Sequence, residues 1–583
     1  MSSRQKATPR KPKAAREARE AEKQVQRPPS STILKNVLRA AAMLFIAGIA
    51  SPVSQLNLSP VYGSIPASLH HQRSMTFTAV AALVARGGLK RYLPINVSEY
   101  VAVVAYWAPV IQFLLFQYSG QLGIEYGPLV IESLTYFPML FLSIYAAVDL
   151  LDTIDLTGVN LPSSLAEIAL PTASYFTVST VAKIAGAIIP NFVGTHIYFT
   201  RIGLQMLLAS ASAFLTPSRI IVFAFPAILH TLWANPHHPS DSAFQNLNAT
   251  LFSTQNFTLL ARQESITGYI SVLENHVDLA YRVLRCDHSL LGGEWLVTPT
   301  SYEKGQRQRE TIFSIFVQLE AVRLIENDSA DIPDSQKSAL VIGLGIGTAP
   351  NAMIGYGINT TIVELDPVVH HYATKYFDLS SNHNAVIDDA VQYVHTKSKT
   401  NPGSFNYIIH DVFTGGAEPV YLFTQEFIRG LSDLLTDDGA VAINYAGDIA
   451  LASTRLVLNT IHSVFPACRI YRDEVAPEDK MPSEADFANM VVFCVKNDRS
   501  HGEHAINFRQ ADEDDWKGSI GRYNYLQPRE AFEVKYEYVL PADGGKIMTR
   551  ANVGELEKFH REGAVSHWRI MRSVLSDGVW ELW

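Results

Sequence analysis

The chain has 583 residues, 48% of them hydrophobic and 18% charged, and its 47 basic and 56 acidic residues give a net charge of −9. This length exceeds a single hydrophobic core and allows about three or four structural units. The three cysteines are too widely spaced for a metal site, nothing in the sequence suggests a disulfide framework, and the histidines show no ligand spacing. We therefore expect no metal and reduced thiols.

The first 36 residues are predicted to form a disordered, basic, cytosolic tail. Residues 1–39 hold eleven Lys or Arg and three Glu, a local charge of +8, and show no apolar periodicity. An apolar segment follows directly, and basic residues beside a first membrane span hold that flank in the cytosol. Because this topogenic role is favoured over a nucleic-acid role, we expect no nucleic acid among the partners.

Residues 37–236 are predicted to form a polytopic α-helical membrane domain of about six helices, in contact with lipid. Only fifteen Asp, Glu, Lys and Arg occur in residues 37–234, and the apolar segments 101–118, 128–148 and 173–193 approach the length that crosses a hydrocarbon core. A buried helical domain is the alternative. Glu132 and Lys183 inside these segments either pair with each other or lie near an interface.

We expect a multi-pass membrane protein whose tail and carboxyl half both face the cytosol, which requires an even number of crossings. Residues 237–260 are predicted to be a polar linker, and the patterns starting at Asn248 and Asn256 fit N-glycosylation acceptors. Since such acceptors are not used in the cytosol, we expect neither to be modified.

Residues 261–330 are predicted to form a small β module and a connecting helix. Residues 261–287 alternate in the manner of strands. Residues 289–295, SLLGGEW, are predicted to form a loop that is either one wall of an active-site cleft or an ordinary turn. Residues 310–326 are predicted to form a long amphipathic helix.

The clearest functional motif opens a nucleoside-binding domain predicted over residues 331–497. A short apolar strand is followed by Gly343, Gly345 and Gly347, then by a helix and a second strand that reaches Glu364. Such glycines allow a tight turn and close approach of a ligand, although they also serve in ordinary turns. Glu364 lies 364 − 345 = 19 positions after the middle glycine, which suits a carboxylate that accepts hydrogen bonds from ribose hydroxyls.

The rest of this domain alternates strands and helices, which predicts a parallel, doubly wound α/β sheet of about seven strands. Ligands of such sheets bind at the carboxyl ends of the strands. Asp388 and Asp389 end the third predicted strand and Asp411 ends the fourth. Each is a candidate site residue, and Asp411 also fits a simple role as a cap of the following loop.

VIGLGIGTAPNAM together with IVELDP resembles the spermidine synthase family and its relatives among the S-adenosylmethionine-dependent methyltransferases. The resemblance covers roughly residues 263–497 and implies a Rossmann-like domain preceded by a small β module. It also implies S-adenosylmethionine or its decarboxylated form as co-substrate, with no metal. By the same resemblance Asp389 would bind the adenine amino group and Asp411 would be the catalytic aspartate. Asp388, which ends the same strand as Asp389, is predicted to belong to the nucleoside site and is a less likely substitute for Asp411.

The amine site departs from that family's pattern. Thr414 stands where spermidine synthases carry a second acidic residue, and their Tyr-Gln pair has no counterpart in ETIFSIFVQLEAV. We therefore predict a membrane-bound transferase that moves an aminopropyl group to a small amine. A methyltransferase and a non-catalytic sensor or scaffold are the alternatives, and a homodimer is allowed.

Residues 498–583 form a C-terminal extension that begins with a charged segment and ends in a Trp-rich one. An exposed tail seldom carries three tryptophans, so Trp568, Trp580 and Trp583 are expected to pack on a neighbouring surface. The sequence leaves open whether that surface is the sheet, the membrane domain or a partner chain.

Overall fold

The computed structural model describes residues 30–92, 96–151, 163–277, 279–327, 332–412, 419–465, 467–475, 486–496, 506–535 and 545–583. An N-terminal helical domain precedes a five-stranded antiparallel sheet and an eight-stranded mixed sheet. Residues 1–29 of the predicted tail lie outside the described residues, as does Thr414, whereas residues 30–36 are helical.

The N-terminal domain is built from apolar helices. Three of the described helices are long and apolar enough to cross a membrane, and a fourth is added if the pair Ser119–Leu134 and Tyr136–Leu151, bent by 41°, is one span. The helices are α1 (Ser30–Tyr62), α2 (Ser64–Ser68), α3 (His71–Tyr92), α4 (Val101–Phe116), α5 (Ser119–Leu134), α6 (Tyr136–Leu151), α7 (Ser163–Ile188), α8 (Arg201–Leu215) and α9 (Phe225–Leu229), the last within the helical segment Arg219–Ala234.

The predicted alternative of a Glu132–Lys183 pair is wrong. The Glu132 carboxylate is buried and lies 2.8 Å from His71 Nδ1, while the hydroxyl of Ser54 donates to it at 2.7 Å. His71 Nε2 in turn lies 2.7 Å from the Ser51 hydroxyl. Lys183 is exposed. Helix α3, which is less apolar than its neighbours, brings His71 to Glu132. A search for long apolar segments does not identify this helix and therefore misses the partner of Glu132.

The predicted polar linker is a helix followed by a strand. Helix α10 (Asp241–Gln255) begins after Ser240, whose hydroxyl accepts from the amide of Ala243, and it buries Leu247 and Leu251. It leads into an antiparallel meander of five strands: β1 (Phe257–Ser265), β2 (Gly268–Asn275), β3 (Tyr281–Cys286), β4 (Ser289–Trp295) and β5 (Glu310–Thr311).

Two predictions for residues 289–326 are wrong. SLLGGEW is strand β4 and not a loop. A short helix α11 (Pro299–Glu303) follows it. Residues 310–326, predicted as one long helix, contain β5, helix α12 (Ser314–Leu319) and a 3₁₀ segment (Glu320–Leu324). Glu310 pairs with Trp295 at the edge of β4, and its carboxylate accepts from the hydroxyl of Ser519 at 2.6 Å. These long-range contacts override the helical periodicity.

The carboxyl half contains the predicted doubly wound sheet, with strand order β13-β11-β12-β10-β9-β6-β7-β8. Strands β6 to β10 are parallel, whereas β11 to β13 are antiparallel additions at one edge. The strands are β6 (Ser338–Ile342), β7 (Asn359–Glu364), β8 (Asn384–Ile387), β9 (Phe405–His410), β10 (Leu435–Asp448), β11 (Ala467–Arg472), β12 (Phe487–Val495) and β13 (Glu533–Val534). The helices between the parallel strands are α13 (Thr348–Gly355), α14 (Pro367–Tyr376), α15 (Ala390–Thr400) and α16 (Gln425–Leu434), followed by α17 (Ala452–His462).

The C-terminal extension packs on the β module and on the helical domain. It contains α18 (Glu513–Trp516), α19 (Ile520–Tyr525), α20 (Gly554–Glu557), α21 (His560–Val574) and α22 (Asp577–Glu581). Trp568, Trp580 and Trp583 are all buried, as predicted. Trp568 Nε1 donates to the carbonyl of Val61 at the end of α1, and the ring of Trp583 stacks on His237 with centroids 3.9 Å apart.

The expectation of reduced thiols throughout is wrong. Cys468 on β11 and Cys494 on β12 face each other across antiparallel strands and form a disulfide, while Cys286 is a free thiol. The two residues lie 26 positions apart, and only the strand register brings them together.

Candidate functional site

The predicted glycine turn connects β6 to α13 and is closed by close backbone contacts. All three glycines have positive φ, 84° at Gly343, 54° at Gly345 and 89° at Gly347. A Cβ atom at Gly343 would overlap the carbonyl oxygen of Asp411, and one at Gly345 would overlap the carbonyl oxygen of Leu291. The glycines are therefore required by the fold at the point where the backbone lines a cavity.

Glu364 ends β7 at the mouth of this cavity. Its carboxylate accepts a hydrogen bond from the amide of Asp366 at 2.8 Å, and the side chain is 9% exposed. Burial raises the pKa of Glu364 to about 7, and the backbone hydrogen bond opposes that rise. A carboxylate held in this way can accept hydrogen bonds from a diol, as the sequence predicts for ribose.

Asp388 and Asp389 follow β8 and line the same cavity. Both are exposed. Asp388 Oδ1 accepts from the amide of Asp389, and Asp389 Oδ1 accepts from the amide of Val391 as the N-cap of α15. Asp389 therefore caps α15 through Oδ1, which leaves its Oδ2 for a ligand.

Asp411 follows β9 and lies on the other side of the glycine turn. Its Oδ1 accepts from Asn444 Nδ2 at 2.8 Å, and burial raises the pKa of Asp411 to about 6 while this hydrogen bond lowers it. Asn444 lies on β10 and is 7% exposed. A carboxylate with a pKa near 6 is ionised at neutral pH and is basic enough to accept a proton.

The order of strands in the sheet places the polar side chains of the site on two sides of strand β6. Strands β7 and β8, with Glu364 and Asp388, lie on one side of β6, whereas β9 and β10, with Asp411 and Asn444, lie on the other. The glycine turn after β6 lies between them. The site thus separates carboxylates suited to a nucleoside from a polar pair suited to a proton-bearing group.

The cavity has a volume of about 300 Å³, and segments distant in sequence close it. The sequence analysis missed Asn444 and the contributions of the helical domain and of residues 286–288, whereas its alternative that residues 289–295 form one wall of the cleft is borne out by Ser289 and Leu291. The only local signal for Asn444 is a polar residue ending the apolar run AVAI. Besides Gly343, Gly345, Glu364 and the three aspartates, the lining includes Gly63, Ser64, Thr267, Cys286, Asp287, His288, Ser289 and Leu291.

A buried ion network ties the β3–β4 turn to the helical domain. Arg201 at the start of α8 is 1% exposed, and its guanidinium lies 3.2 Å from Glu264 Oε2 and 3.0 Å from Asp287 Oδ1. Asp287 Oδ1 also accepts from the amide of Tyr269. Because Asp287 lines the cavity, Arg201 fixes one wall of the site from outside it.

These groups fit an S-adenosyl nucleoside. The glycine turn leaves room for a ligand beside the backbone, Glu364 is placed for the ribose, and the edge of the sheet offers two further aspartates. When bound, S-adenosylmethionine supplies a methyl group on a sulfonium. Within the described residues no group of three or more His, Cys, Asp or Glu is arranged to hold a metal ion.

Residues 326–475 match the Spermine/spermidine synthase domain family. The N-terminal histidine N-methyltransferase of Emericella nidulans is 42% identical over 561 residues, 94% of this chain and 98% of that protein. A polyamine aminopropyltransferase of Vibrio vulnificus is 29% identical over 197 residues, 33% of this chain and 61% of that protein. Among solved structures, human methyltransferase-like protein 13 in complex with SAH is 21% identical, covering 38% of this chain and 96% of that chain with a TM-score of 0.26.

The chain is thus a transferase with S-adenosylmethionine as co-substrate. The long match spans both the helical domain and the carboxyl half, whereas the aminopropyltransferase match covers a third of the chain. The comparisons favour the methyl-transfer alternative over the aminopropyl transfer that the sequence analysis preferred.

Proposed function

Because the chain belongs to the family of the N-terminal histidine N-methyltransferase of Emericella nidulans, we propose that it methylates a ring nitrogen of a histidine at the amino terminus of a polypeptide. The 42% identity over 561 residues carries this proposal, since it covers the helical domain as well as the nucleoside fold. The acceptor is thus an amine-bearing polypeptide and not the free small amine that the sequence suggested.

The charge of the cavity suits such an acceptor. Glu364, Asp388, Asp389 and Asp411 all line it. A histidine at an amino terminus brings a positively charged α-ammonium group beside its imidazole, and a cavity rich in carboxylates attracts that charge. An acetylated amino terminus would lose this attraction.

Asp411 is assigned to the imidazole. Its Oδ1 is held by Asn444, so Oδ2 is the oxygen that accepts a hydrogen bond from one ring N–H. This contact fixes the tautomer in which the other ring nitrogen carries a lone pair. That nitrogen forms the new bond to the methyl carbon while the carbon–sulfur bond breaks and its electron pair goes to sulfur. The remaining ring proton is released to Asp411.

The experiment is methyl transfer by the purified full-length protein with peptides that differ at one end. We expect methylation of a peptide that begins with histidine, and none of the same peptide acetylated, begun with alanine, or carrying histidine at an internal position. Fragmentation mass spectrometry locates the methyl group on the ring. Transfer to putrescine from decarboxylated S-adenosylmethionine would support the aminopropyl alternative instead, and nucleoside binding without turnover of any acceptor would support the sensor.

A further inference from the structure

We propose that the turn between β3 and β4 binds the α-amino end of the acceptor polypeptide, with Asp287 taking its α-ammonium group and His288 donating to its first carbonyl oxygen. This inference rests on the proposed function and names the part of the cavity that selects a chain terminus. Both residues line the cavity. The imidazole of the acceptor remains with Asp411, so the two ends of the acceptor histidine have separate sites.

The ring of His288 is deeply buried among aromatic side chains. It is 3% exposed, stacks on the ring of Trp568 with centroids 5.5 Å apart and lies with its centroid 4.3 Å from that of Trp580. Burial lowers the pKa of His288 well below its usual range, Arg572 and Arg285 lower it further, and its own backbone opposes the shift only in part. The ring is therefore neutral at neutral pH and carries a single proton.

Arg572 decides which ring nitrogen of His288 carries that proton. Its Nε donates to His288 Nε2 at 3.3 Å. A guanidinium offers no acceptor, so Nε2 must present its lone pair and the ring proton lies on Nδ1. Arg572 is itself held by Asp577 at 2.8 Å and by Ser119, at the start of α5, at 2.7 Å. These contacts fix the orientation of the His288 ring.

The Nδ1–H group of His288 is buried and has no acceptor among the residues that the structure describes. A buried donor without an acceptor is costly, and native proteins satisfy nearly all such groups with protein atoms, water or a ligand. Because His288 lines the cavity, we assign the missing acceptor to the occupant of the cavity. A neutral N–H donor suits a neutral acceptor such as a peptide carbonyl oxygen.

Asp287, the residue before His288, offers the complementary charge. Its Oδ1 accepts from the amide of Tyr269 at 2.8 Å and from the guanidinium of Arg201 at 3.0 Å. Both of these hydrogen bonds use Oδ1, which leaves Oδ2 for a ligand. The α-ammonium group and the first carbonyl oxygen of a polypeptide are close neighbours, so an adjacent carboxylate and N–H donor can bind both.

The turn that carries Asp287 and His288 is held in place by three parts of the chain. Asp287 has a positive φ of 46°, a conformation that costs energy for a residue with a side chain. Its carbonyl accepts from Arg285 of β3 at 2.7 Å, and its carboxylate is tied to Arg201 of the helical domain. Arg285 also donates to the carbonyls of Pro60 and Val579. The turn is thus fixed before the acceptor binds, which lowers the entropic cost of binding.

The β3–β4 turn and Asp411 lie on either side of the same glycine turn. Gly343 packs against the carbonyl of Asp411, and Gly345 packs against the carbonyl of Leu291, three residues after His288. Since a single residue separates Gly343 from Gly345, the start of β4 and the end of β9 are close together. One histidine can therefore place its α-amino end at the first and its ring at the second.

S-adenosylmethionine carries a similar end, an α-ammonium group beside a carboxylate, and is the rival occupant of the turn. The match to the synthase domain covers residues 326–475, which include the glycine turn, Glu364 and the three aspartates, but not residues 287 and 288. The long relative, an N-terminal histidine N-methyltransferase, matches over 94% of this chain. The turn therefore lies outside the part that the synthase domain shares, which favours the acceptor.

The first test uses the wild-type full chain, so it does not depend on the folding of any variant. Methylation is compared for a peptide that begins with histidine, the same peptide begun with deamino-histidine, and one whose first carbonyl oxygen is replaced by sulfur. Loss of the charged contact should lower kcat/KM about 10- to 100-fold for the deamino peptide, and the weaker acceptor about 3- to 10-fold for the thioamide. Equal values for all three peptides would overturn the proposal.

The second test removes the donor of His288. His288→Leu should raise KM for the unmodified peptide and abolish its advantage over the thioamide. His288→Asn, whose side-chain N–H can replace Nδ1–H, should restore both. Asp287→Asn should likewise abolish the advantage over the deamino peptide. His567→Leu is the matched control, because His567 is also buried, on α21, but does not line the cavity. An equal loss of preference in His567→Leu would show that packing, and not the donor, is responsible.

Calorimetric binding of S-adenosylmethionine separates the methyl donor from the acceptor. All four variants should bind it with the affinity of the wild type. Weaker binding in His288→Leu or Asp287→Asn, with the preference among peptides unchanged, would assign the turn to the methionine end of S-adenosylmethionine and refute the proposal. A wild type that leaves the unmodified peptide unmethylated would instead refute the proposed function, and this inference with it.

Discussion

Asp411→Asn should separate a catalytic role from a structural one, because the two predict opposite changes in stability. Burial raises the pKa of Asp411 to about 6 from the 3.8 of an exposed aspartate. At 1.36 kcal/mol per pH unit this corresponds to roughly 3 kcal/mol, and we expect about 1–2 kcal/mol because the half-buried side chain is partly screened by solvent. The amide of the variant carries no charge, and its oxygen can still accept from Asn444.

The sign of this change in stability follows from the uptake of a proton by Asp411. With its pKa raised in the folded state, Asp411 favours folding fully below pH 3.8, and this contribution is lost as the pH rises to about 6. The variant does not undergo that loss. Its melting temperature should therefore match or exceed that of the wild type above pH 6 and approach it near pH 4.

The methyltransferase activity of Asp411→Asn should fall, although its stability at neutral pH is kept or raised. Loss of a proton acceptor typically lowers turnover by about 10²- to 10⁴-fold, and we expect that range for Asp411→Asn with little change in affinity for S-adenosylmethionine. In the wild type, kcat/KM should rise with pH through about 6, and the variant should keep only the part of this acidic limb that comes from protonation of Glu364 and of the acceptor imidazole.

The assay combines methyl transfer to a peptide that begins with histidine, calorimetric binding of S-adenosylmethionine and a melting curve at several pH values. Asp433→Asn on the exposed surface of α16 is the control for an Asp-to-Asn change outside the site. Near-normal turnover in a variant that melts earlier at neutral pH would show that Asp411 only caps the strand end and would refute the assignment.

Glu364→Ala should weaken S-adenosylmethionine binding by about 1.5–3 kcal/mol in calorimetry, and wild-type affinity should fall as the pH drops below about 7 because the carboxylate then takes up a proton; unchanged affinity would exclude Glu364 from the ribose site. Ser64→Trp should lower peptide methylation at least about tenfold while nucleoside affinity persists, since Ser64 lines the cavity from the helical domain; Ser68→Trp on the same short helix is the control, and equal effects would contradict this placement. Arg201→Met should lower stability by about 3–5 kcal/mol, measured by denaturation in detergent, because Glu264 and Asp287 lose their counter-charge; a smaller loss than in the exposed-site control Arg429→Met would rule out the network.

The nucleoside side of the site could be predicted from the sequence because its signals are local. The three glycines, the apolar strands and Glu364 lie within one strand-turn-helix-strand unit, and the positive φ angles of the turn require glycine at its three positions. The strand-end aspartates follow from the same alternation. Gly343, Gly345, Glu364 and the strand-end aspartates all line the cavity, whereas Gly347 packs against Leu379 outside its lining.

The acceptor side could not be predicted, because it is built by long-range contacts. Asn444 reaches Asp411 from 33 positions away, and Ser64 joins the cavity from a different domain. The disulfide likewise depends on the register between β11 and β12. Helical periodicity in residues 310–326 was misleading for the same reason, since pairing with β4 and the contact to Ser519 override it.

The helical domain is therefore part of the candidate active site. Gly63 and Ser64 line the cavity, Arg201 holds Asp287 at its wall, and the last residue of the chain, Trp583, packs between His237 and Tyr269 beside that wall. An acceptor that reaches Asp411 enters a cavity that Gly63 and Ser64 of the helical domain line together with the strand ends of the sheet. This position favours the flexible end of a polypeptide over a folded surface, which is the kind of acceptor that a histidine at an amino terminus provides.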